Sequence, residues 1–300
     1  MTDERLDAAI EAIAADHRSG ATALATRAIR ILRAAARLDR PRRVEIVRAL
    51  CTAQPSMATI WNAASLALRD DALARIEVFA ERLLHSPRAL GRFASNLLLR
   101  DTRSATQPLR MVTCSASGSV MACLAAVAIR SPVVVACAEG RPLFEGRAMA
   151  AALVEKGIAT ELFTDAAVVS TLADATAVLI GADAVTSGWF INKCGTYGLA
   201  AAAQHQGVAV YVAASRDKFA GPVIAPRLRL RAGPPGEVWD RVTRGVAVGN
   251  PYFERVPVDL AAAFITDLGV VSALDVGEVC TAVGLEVGET ALATALGDDW

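Results

Sequence analysis

The chain has 300 residues, with 31 basic and 31 acidic side chains and a formal net charge of zero. That balance excludes a net field that would draw in nucleic acid or an anionic membrane, and no apolar run long enough to span a bilayer lacks polar interruption. Hydrophobic residues make up 54%, much of it alanine, and aromatics only 5%, which favours packed helices over a β-sandwich.

Six cysteines, Cys51, Cys114, Cys123, Cys137, Cys194 and Cys280, show no C-x-x-C spacing. The N-terminal stretch is acidic and amphipathic, unlike a signal peptide. Reduced thiols in a cytoplasmic protein are therefore expected rather than a disulfide frame. His17, His85 and His205 stand apart in sequence, which argues against a metal site.

In chain order, residues 1 to about 105 read as helices throughout. Leu6, Ile10 and Ile13 are spaced for one helical face. Arg18, Ser19, Gly20 and Ala21 break that helix, and a second is expected over 21–38, ended by Arg40 and Pro41. Arg27, Arg30, Arg33 and Arg37 make a solvated stripe along it. Further helices are expected over 44–51, 56–68 and 70–84, with Ser86 and Pro87 opening another. The polar stretch 101–107, closed by Pro108, marks a boundary between a helical domain, 1–107, and a second domain, 108–300.

The second domain alternates strands and helices. Strands are expected over 109–113, 132–136, 160–163, 177–182 and 208–214, with helices between them. The fold class is therefore α/β, a helical N-terminal domain followed by a Rossmann-like, doubly wound parallel sheet. No G-x-G-x-x-G is present, so no dinucleotide cofactor is expected.

The stretch 181–218 gathers chemistry at one rim. Asp183 follows a strand end, and Asn192 and Lys193 end a polar loop just before the alanine-rich helix. Parallel strands place their carboxyl ends on one edge, where ligands bind. Lys193 near a helix N-terminus suits a phosphate. The plainer alternative is that Asp183 caps its loop and Lys193 is solvated. The Ser19–Gly20 turn into a helix is an anion cradle or an ordinary glycine turn.

Gly181-Ala182-Asp183, then Asn192-Lys193 followed by Gly195-Thr196-Tyr197-Gly198-Leu199-Ala200, then Tyr211 to Ser215, resemble one superfamily. It comprises methylthioribose-1-phosphate isomerase, ribose-1,5-bisphosphate isomerase and the α, β and δ subunits of initiation factor 2B. Glu139-Gly140-Arg141-Pro142 and the segment from Asn250-Pro251 to Val256-Pro257 are similar to further family segments. The resemblance implies a catalytic role for Asp183 and phosphate binding by Asn192 and Lys193. It implies phosphate binding at the turn Arg18, Ser19, Gly20, Ala21, and substrate binding by Lys218 unless that is a surface lysine. The family's catalytic cysteine sits in T-H-C-N. Here Thr113-Cys114-Ser115-Ala116 stands there, so the resemblance implies the role for Cys114 or Ser115, unless Cys114 is simply a small buried hydrophobe, as free cysteines usually are. A family arginine before proline is replaced by Gln54, a neutral and weaker phosphate partner. Arg141 reaches a ligand or anchors its own loop.

Two functions follow. The first is cofactor-independent isomerisation of a sugar 1-phosphate, ribose-1,5-bisphosphate or a related pentose phosphate, with no metal. The second is a non-catalytic relative of initiation factor 2B that binds a phosphorylated sugar or nucleotide and works through protein partners. A homodimer formed through the second domain is expected from the same resemblance.

Overall fold

A computed structural model describes residues 3–100 and 107–297. The boundary expected over 101–107 lies, Gln107 apart, outside the described residues. Five helices come first: α1 (Asp3–Ala15), α2 (Ala21–Ala35), α3 (Arg40–Ala53), α4 (Ala58–Leu66) and α5 (Ala72–Leu98). α2 buries Leu24, Ala28, Ile31, Leu32 and Ala35 along one face, the stripe its period dictates. α4 is buried on every side. Its nine residues carry no charge, as a helix with no solvent face requires.

Two helix boundaries differ from the sequence reading. Arg40 and Pro41 open α3 rather than closing α2. Asp39 caps α3 by accepting from the Arg42 amide at 2.9 Å, and Pro41 sits in the first turn, where an N–H is not needed. Pro87 lies inside α5 instead of starting a new helix. It withholds one N–H from the Leu83 carbonyl, and the Ser86 hydroxyl donates to that carbonyl at 3.2 Å. The buried face runs on from Phe79 and Leu83 to Leu90 and Ala94 across the break.

The sheet region follows as β1 (Leu109–Thr113), α6 (Gly118–Ala128), β2 (Val133–Ala138), α7 (Glu145–Glu155), β3 (Ala159–Phe163), β4 (Ala177–Gly181), β5 (Ala184–Val185), β6 (Trp189–Lys193), α8 (Thr196–His205) and β7 (Ala209–Ala213). After a long loop come β8 (Phe253–Pro257), β9 (Ala263–Ile265), β10 (Val270–Val271), α9 (Val276–Val287) and α10 (Glu289–Leu296). The main sheet has the order β10-β9-β7-β4-β1-β2-β3 and is parallel except for β10. β1 and β4 carry near-continuous apolar runs because helices cover both faces. Chain order reverses between β1 and β4, which makes that gap the topological switch point.

A second sheet, β5-β6-β8, stands at the carboxyl edge of the first. Asn192 and Lys193 therefore lie on a strand, where a polar loop was expected. β6 pairs with β8 through Asn192 opposite Glu254 and Lys193 opposite Phe253. A two-residue β5 and a partner strand beyond the next helix and strand leave little local signal.

α9 and α10 return to pack on α4. One hydrophobic cluster consequently runs from Leu6 to Leu296. α4 also holds the site: its Ala58 amide donates to the Asp183 carbonyl at 3.0 Å.

Candidate functional site

The carboxyl ends of β1 and β4 flank the switch point, and a cavity of about 420 Å³ opens there, a volume suited to a small metabolite. Gly181 is needed at the end of β4, because a Cβ there would lie 2.6 Å from Ser117 Oγ. Ser117 caps α6 by accepting from the Val120 amide. The N-terminus of α2, with Gly20 at its cap position and no side-chain cap, faces the cavity from the other side.

Of the residues singled out in the sequence, Arg18, Ser19, Gly20, Ala21, Ser115, Asp183, Asn192 and Lys218 line this cavity. Cys114 and Lys193 do not.

Asp183 sits between the two halves. Its amide donates to the Ile191 carbonyl at 2.8 Å, and its carbonyl accepts from Ala58. Among the described residues no hydrogen bond ties its carboxyl to its own loop. Burial pushes that carboxyl above its ordinary value, opposed by the positive charges of Lys218 and Lys193 and assisted by Glu145.

Lys218 is 5% exposed rather than a surface lysine. Its ammonium lies 3.5 Å from the Ser119 hydroxyl, and no carboxylate among the described residues lies within ion-pair distance. Thr59 and Asn62 on α4 hold the turn that carries it. Thr59 donates to the Asp217 carboxylate at 2.7 Å, and Asn62 donates to the carbonyls of Asp217 and Phe219 at 2.7 and 2.8 Å.

Lys193 has a different setting. Its ammonium lies 2.6 Å from Glu145 Oε1, and Glu145, the first residue of α7, stands at the cavity wall. The N-terminus of α8 is taken too, because Glu254 accepts from the amides of Gly195 and Tyr197, each at 2.8 Å. Both phosphate-favouring features expected at this rim are thus occupied by carboxylates of the chain itself.

Of the two candidates at the end of β1, Ser115 faces the cavity and Cys114 turns away. The Cys114 thiol lies 3.5 Å from Thr196 Oγ1 and 3.9 Å from Asn192 Nδ2. Burial, with the Thr196 bond opposing, pushes it up to about 11. Asn192 donates to Thr196 Oγ1 at 2.9 Å, and that hydroxyl donates to the Lys193 carbonyl. Both residues lie beyond the last residue of β1, and the left-handed backbone of Ser115, φ 64°, sets its side chain apart from that of Cys114.

Gln54 does not line the cavity. It donates to the Ile13 carbonyl at 2.7 Å and the Asp16 carbonyl at 3.3 Å, closing the end of α1. Asp16 then shapes the Arg18–Gly20 turn by accepting from the amides of Arg18 and Ser19. Partial burial raises the Asp16 carboxyl, but bonds from Ser19, Arg18 and Arg27 bring it down to about 2. Arg141 anchors loops: its guanidinium donates to the Val238 carbonyl and its amide to Asp165.

Sequence reasoning missed Glu145, Thr59, Asn62 and Asp16 as residues that build the site. Thr59 and Asn62 were visible as polar residues in an otherwise apolar helix, the pattern of buried groups with fixed partners. Nothing local in the sequence aims Glu145 at Lys193.

An open, mostly parallel sheet with its cavity at the switch point places the chain among the doubly wound α/β proteins. Within that class, residues 17–273 match the initiation factor 2 subunit family, and the chain belongs to it. It is 26% identical over 234 residues to ribose 1,5-bisphosphate isomerase of Methanocaldococcus jannaschii, covering 74% of each chain. It is 38% identical over 149 residues to methylthioribose-1-phosphate isomerase of Heliobacterium modesticaldum, a match covering 44% of this chain and 41% of that enzyme. The chain thus spans about two fifths of that enzyme's length. The structure of the translation initiation factor eIF-2B from Pyrococcus horikoshii superposes with a TM-score of 0.76 at 26% identity, covering 90% of this chain and 98% of that one. Relatives therefore include both sugar-phosphate isomerases and an initiation factor.

Proposed function

We propose that the protein is a cofactor-independent aldose–ketose isomerase acting on a pentose 1-phosphate or the corresponding 1,5-bisphosphate. The observation that carries this reading is the Asp183 carboxyl, facing the cavity with its pKa raised and its side chain uncommitted. Opening the sugar ring needs a proton at the ring oxygen, and a carboxyl whose pKa is raised by burial is suited to supply it. The phosphate lies against the Arg18–Ala21 turn, where the N-terminus of α2 and Lys218 offer positive charge. Asn192 faces the sugar, and Lys193 acts from behind Glu145. The division into 1–107 and 108–300 belongs to the same reading, with the cavity between the two parts.

The second reading, a binding protein that works through partners, is favoured by two observations. Cys114 is turned into the interior, and Gln54 serves α1 instead of the ligand. The two readings separate on turnover. Phosphorus NMR should show conversion of 5-methylthioribose 1-phosphate, ribose 1-phosphate or ribose 1,5-bisphosphate to a ketose 1-phosphate by the wild-type protein. Asp183→Asn should lower that rate by about 10²–10⁴-fold and still bind, as loss of general acid help does. Binding of a phosphosugar without turnover by the wild type would leave the second reading.

We also propose a homodimer in the cytoplasm. Leu268, Val270 and Leu274 stand exposed on and beside the edge strand β10, an apolar surface that a second copy would cover. A monomer by light scattering across micromolar concentrations would refute the dimer. No single helix among the described residues is long and apolar enough to cross a membrane.

A further inference from the structure

The pair Ser115 and Glu145 has a setting that nothing else among the described residues shares. Only two non-glycine residues there have a left-handed backbone: Ser115 at φ 64° and Phe144, directly before Glu145, at φ 58°. Such backbone costs on the order of 1 kcal/mol or more at each residue and persists only where the surroundings enforce it. Gly146 lets the chain pass close to the end of β2 here, because a Cβ at that position would lie 1.8 Å from the Ala138 carbonyl oxygen. Ser115 Oγ donates to Glu145 Oε1 at 3.3 Å. The same oxygen holds Lys193 at 2.6 Å. Glu145 Oε2 is buried with no hydrogen-bond partner, so the carboxylate keeps unspent acceptor capacity. Hydroxyl, carboxylate and ammonium thus stand in line, with the hydroxyl at the cavity and the ammonium 4% exposed behind it. A reacting group, a base beside it and a third group orienting the base is the arrangement of an activated hydroxyl.

We propose that Ser115, Glu145 and Lys193 form a proton relay opposite Asp183, with Ser115 as the group that touches the substrate. The inference rests on the isomerase reading. As the ring bond from C1 breaks, its electron pair goes to the ring oxygen, which takes the proton of Asp183. The hydrogen on C2 moves to C1 with its electron pair, so C1 is reduced and C2 oxidised. The O2 hydroxyl becomes the C2 carbonyl and gives its proton to Ser115 Oγ, whose own proton passes to Glu145 Oε1. Asp183 ends one proton poorer and Glu145 one richer, and exchange with water resets both. Lys193 positions Glu145 and touches no substrate. The relay assigns to a serine and a glutamate the work for which a cysteine was the expected candidate, and it leaves Cys114 as a buried thiol.

The test uses the full chain and whichever of the three phosphosugars the wild type converts. Glu145→Gln keeps shape but accepts no proton. It should lower kcat by about 10²–10⁴-fold and leave KM within about threefold. Ser115→Ala should lose a similar factor, and the double variant no more than either alone, because the residues act as a unit. Should Glu145→Gln fail to fold, as its melting profile would show, Ser115→Ala carries the test, since it removes only one hydroxyl. A wild-type kcat in either variant, or a loss confined to KM, overturns the relay while the isomerase reading stands. A loss in Cys114→Ala with Ser115→Ala at the wild-type rate overturns it as well. Absence of any conversion by the wild type refutes the isomerase reading and the relay together.

Discussion

Lys193 and Lys218 are both buried lysines at the carboxyl edge of the sheet, yet the chain treats them differently. Around Lys193 every anion-attracting feature is already satisfied: Glu145 pairs with the ammonium and Glu254 fills the N-terminus of α8. Around Lys218 the ammonium has a hydroxyl neighbour, and the facing N-terminus of α2 has no side-chain cap. A buried cation without a carboxylate is costly unless something else brings negative charge. On the proposed reading the Lys218 side receives an anion, whereas the Lys193 side holds the Glu145 carboxylate in place. Sequence proximity of a lysine to a helix N-terminus does not distinguish these cases; the residues arriving from β8 and α7 do.

The contrast can be broken in order of expected effect. Lys193→Ala should act first on stability, because it leaves Glu145 without its partner. Breaking a buried pair from one side costs about 3–5 kcal/mol, and the partial exposure of Glu145 places this case at the lower end. Urea unfolding checks it, and a variant as stable as wild type would show that the pair is not structural. Lys218→Ala should instead spare the fold and weaken phosphosugar binding by about 1.5–3 kcal/mol, the scale of a hydrogen bond to a charged group. Calorimetry decides between the two lysines: equal losses of affinity would erase the distinction drawn here.

The thiols provide a smaller test. Cys114, pushed up to about 11, should alkylate at pH 8 on the order of 10²-fold more slowly than an unperturbed cysteine. Cys194, exposed, should be labelled before it, which mass spectrometry of iodoacetamide-treated protein would show. First labelling at Cys114 would mean that its thiol reaches the cavity after all.

The smallest effect concerns the Arg18–Ala21 turn, the proposed phosphate site. Asp16 has a carboxyl lowered to about 2, so the folded state binds fewer protons there than the unfolded state. Its contribution is complete above about pH 4 and is lost as pH falls through about 2. Asp16→Asn should flatten the acid limb of the stability profile in that window. An unchanged acid limb would deny Asp16 its part in fixing the turn.

Much of this was legible before the structure. The parallel sheet could be read because its strands are near-continuous apolar runs separated by helices, and Asp183 stood out because it follows one of them. Local chemistry that serves a distant partner was not legible. Gln54 reads as a weakened ligand residue but closes the end of α1, since only the fold brings the Ile13 carbonyl beside it. Asn192 and Lys193 read as loop because the strand that pairs them, β8, is supplied much later in the chain. The choice between Cys114 and Ser115 turned on a backbone angle, φ 64° at Ser115, that no residue pattern announces.

The most direct test of the account is a crystal structure of Asp183→Asn with a bound pentose 1-phosphate. The phosphate is expected between the Arg18–Ala21 turn and Lys218, with the sugar lying between residue 183 and Ser115 and with the Lys193–Glu145 pair intact. A phosphate seated on Lys193 at the N-terminus of α8, with Glu145 displaced, would contradict it.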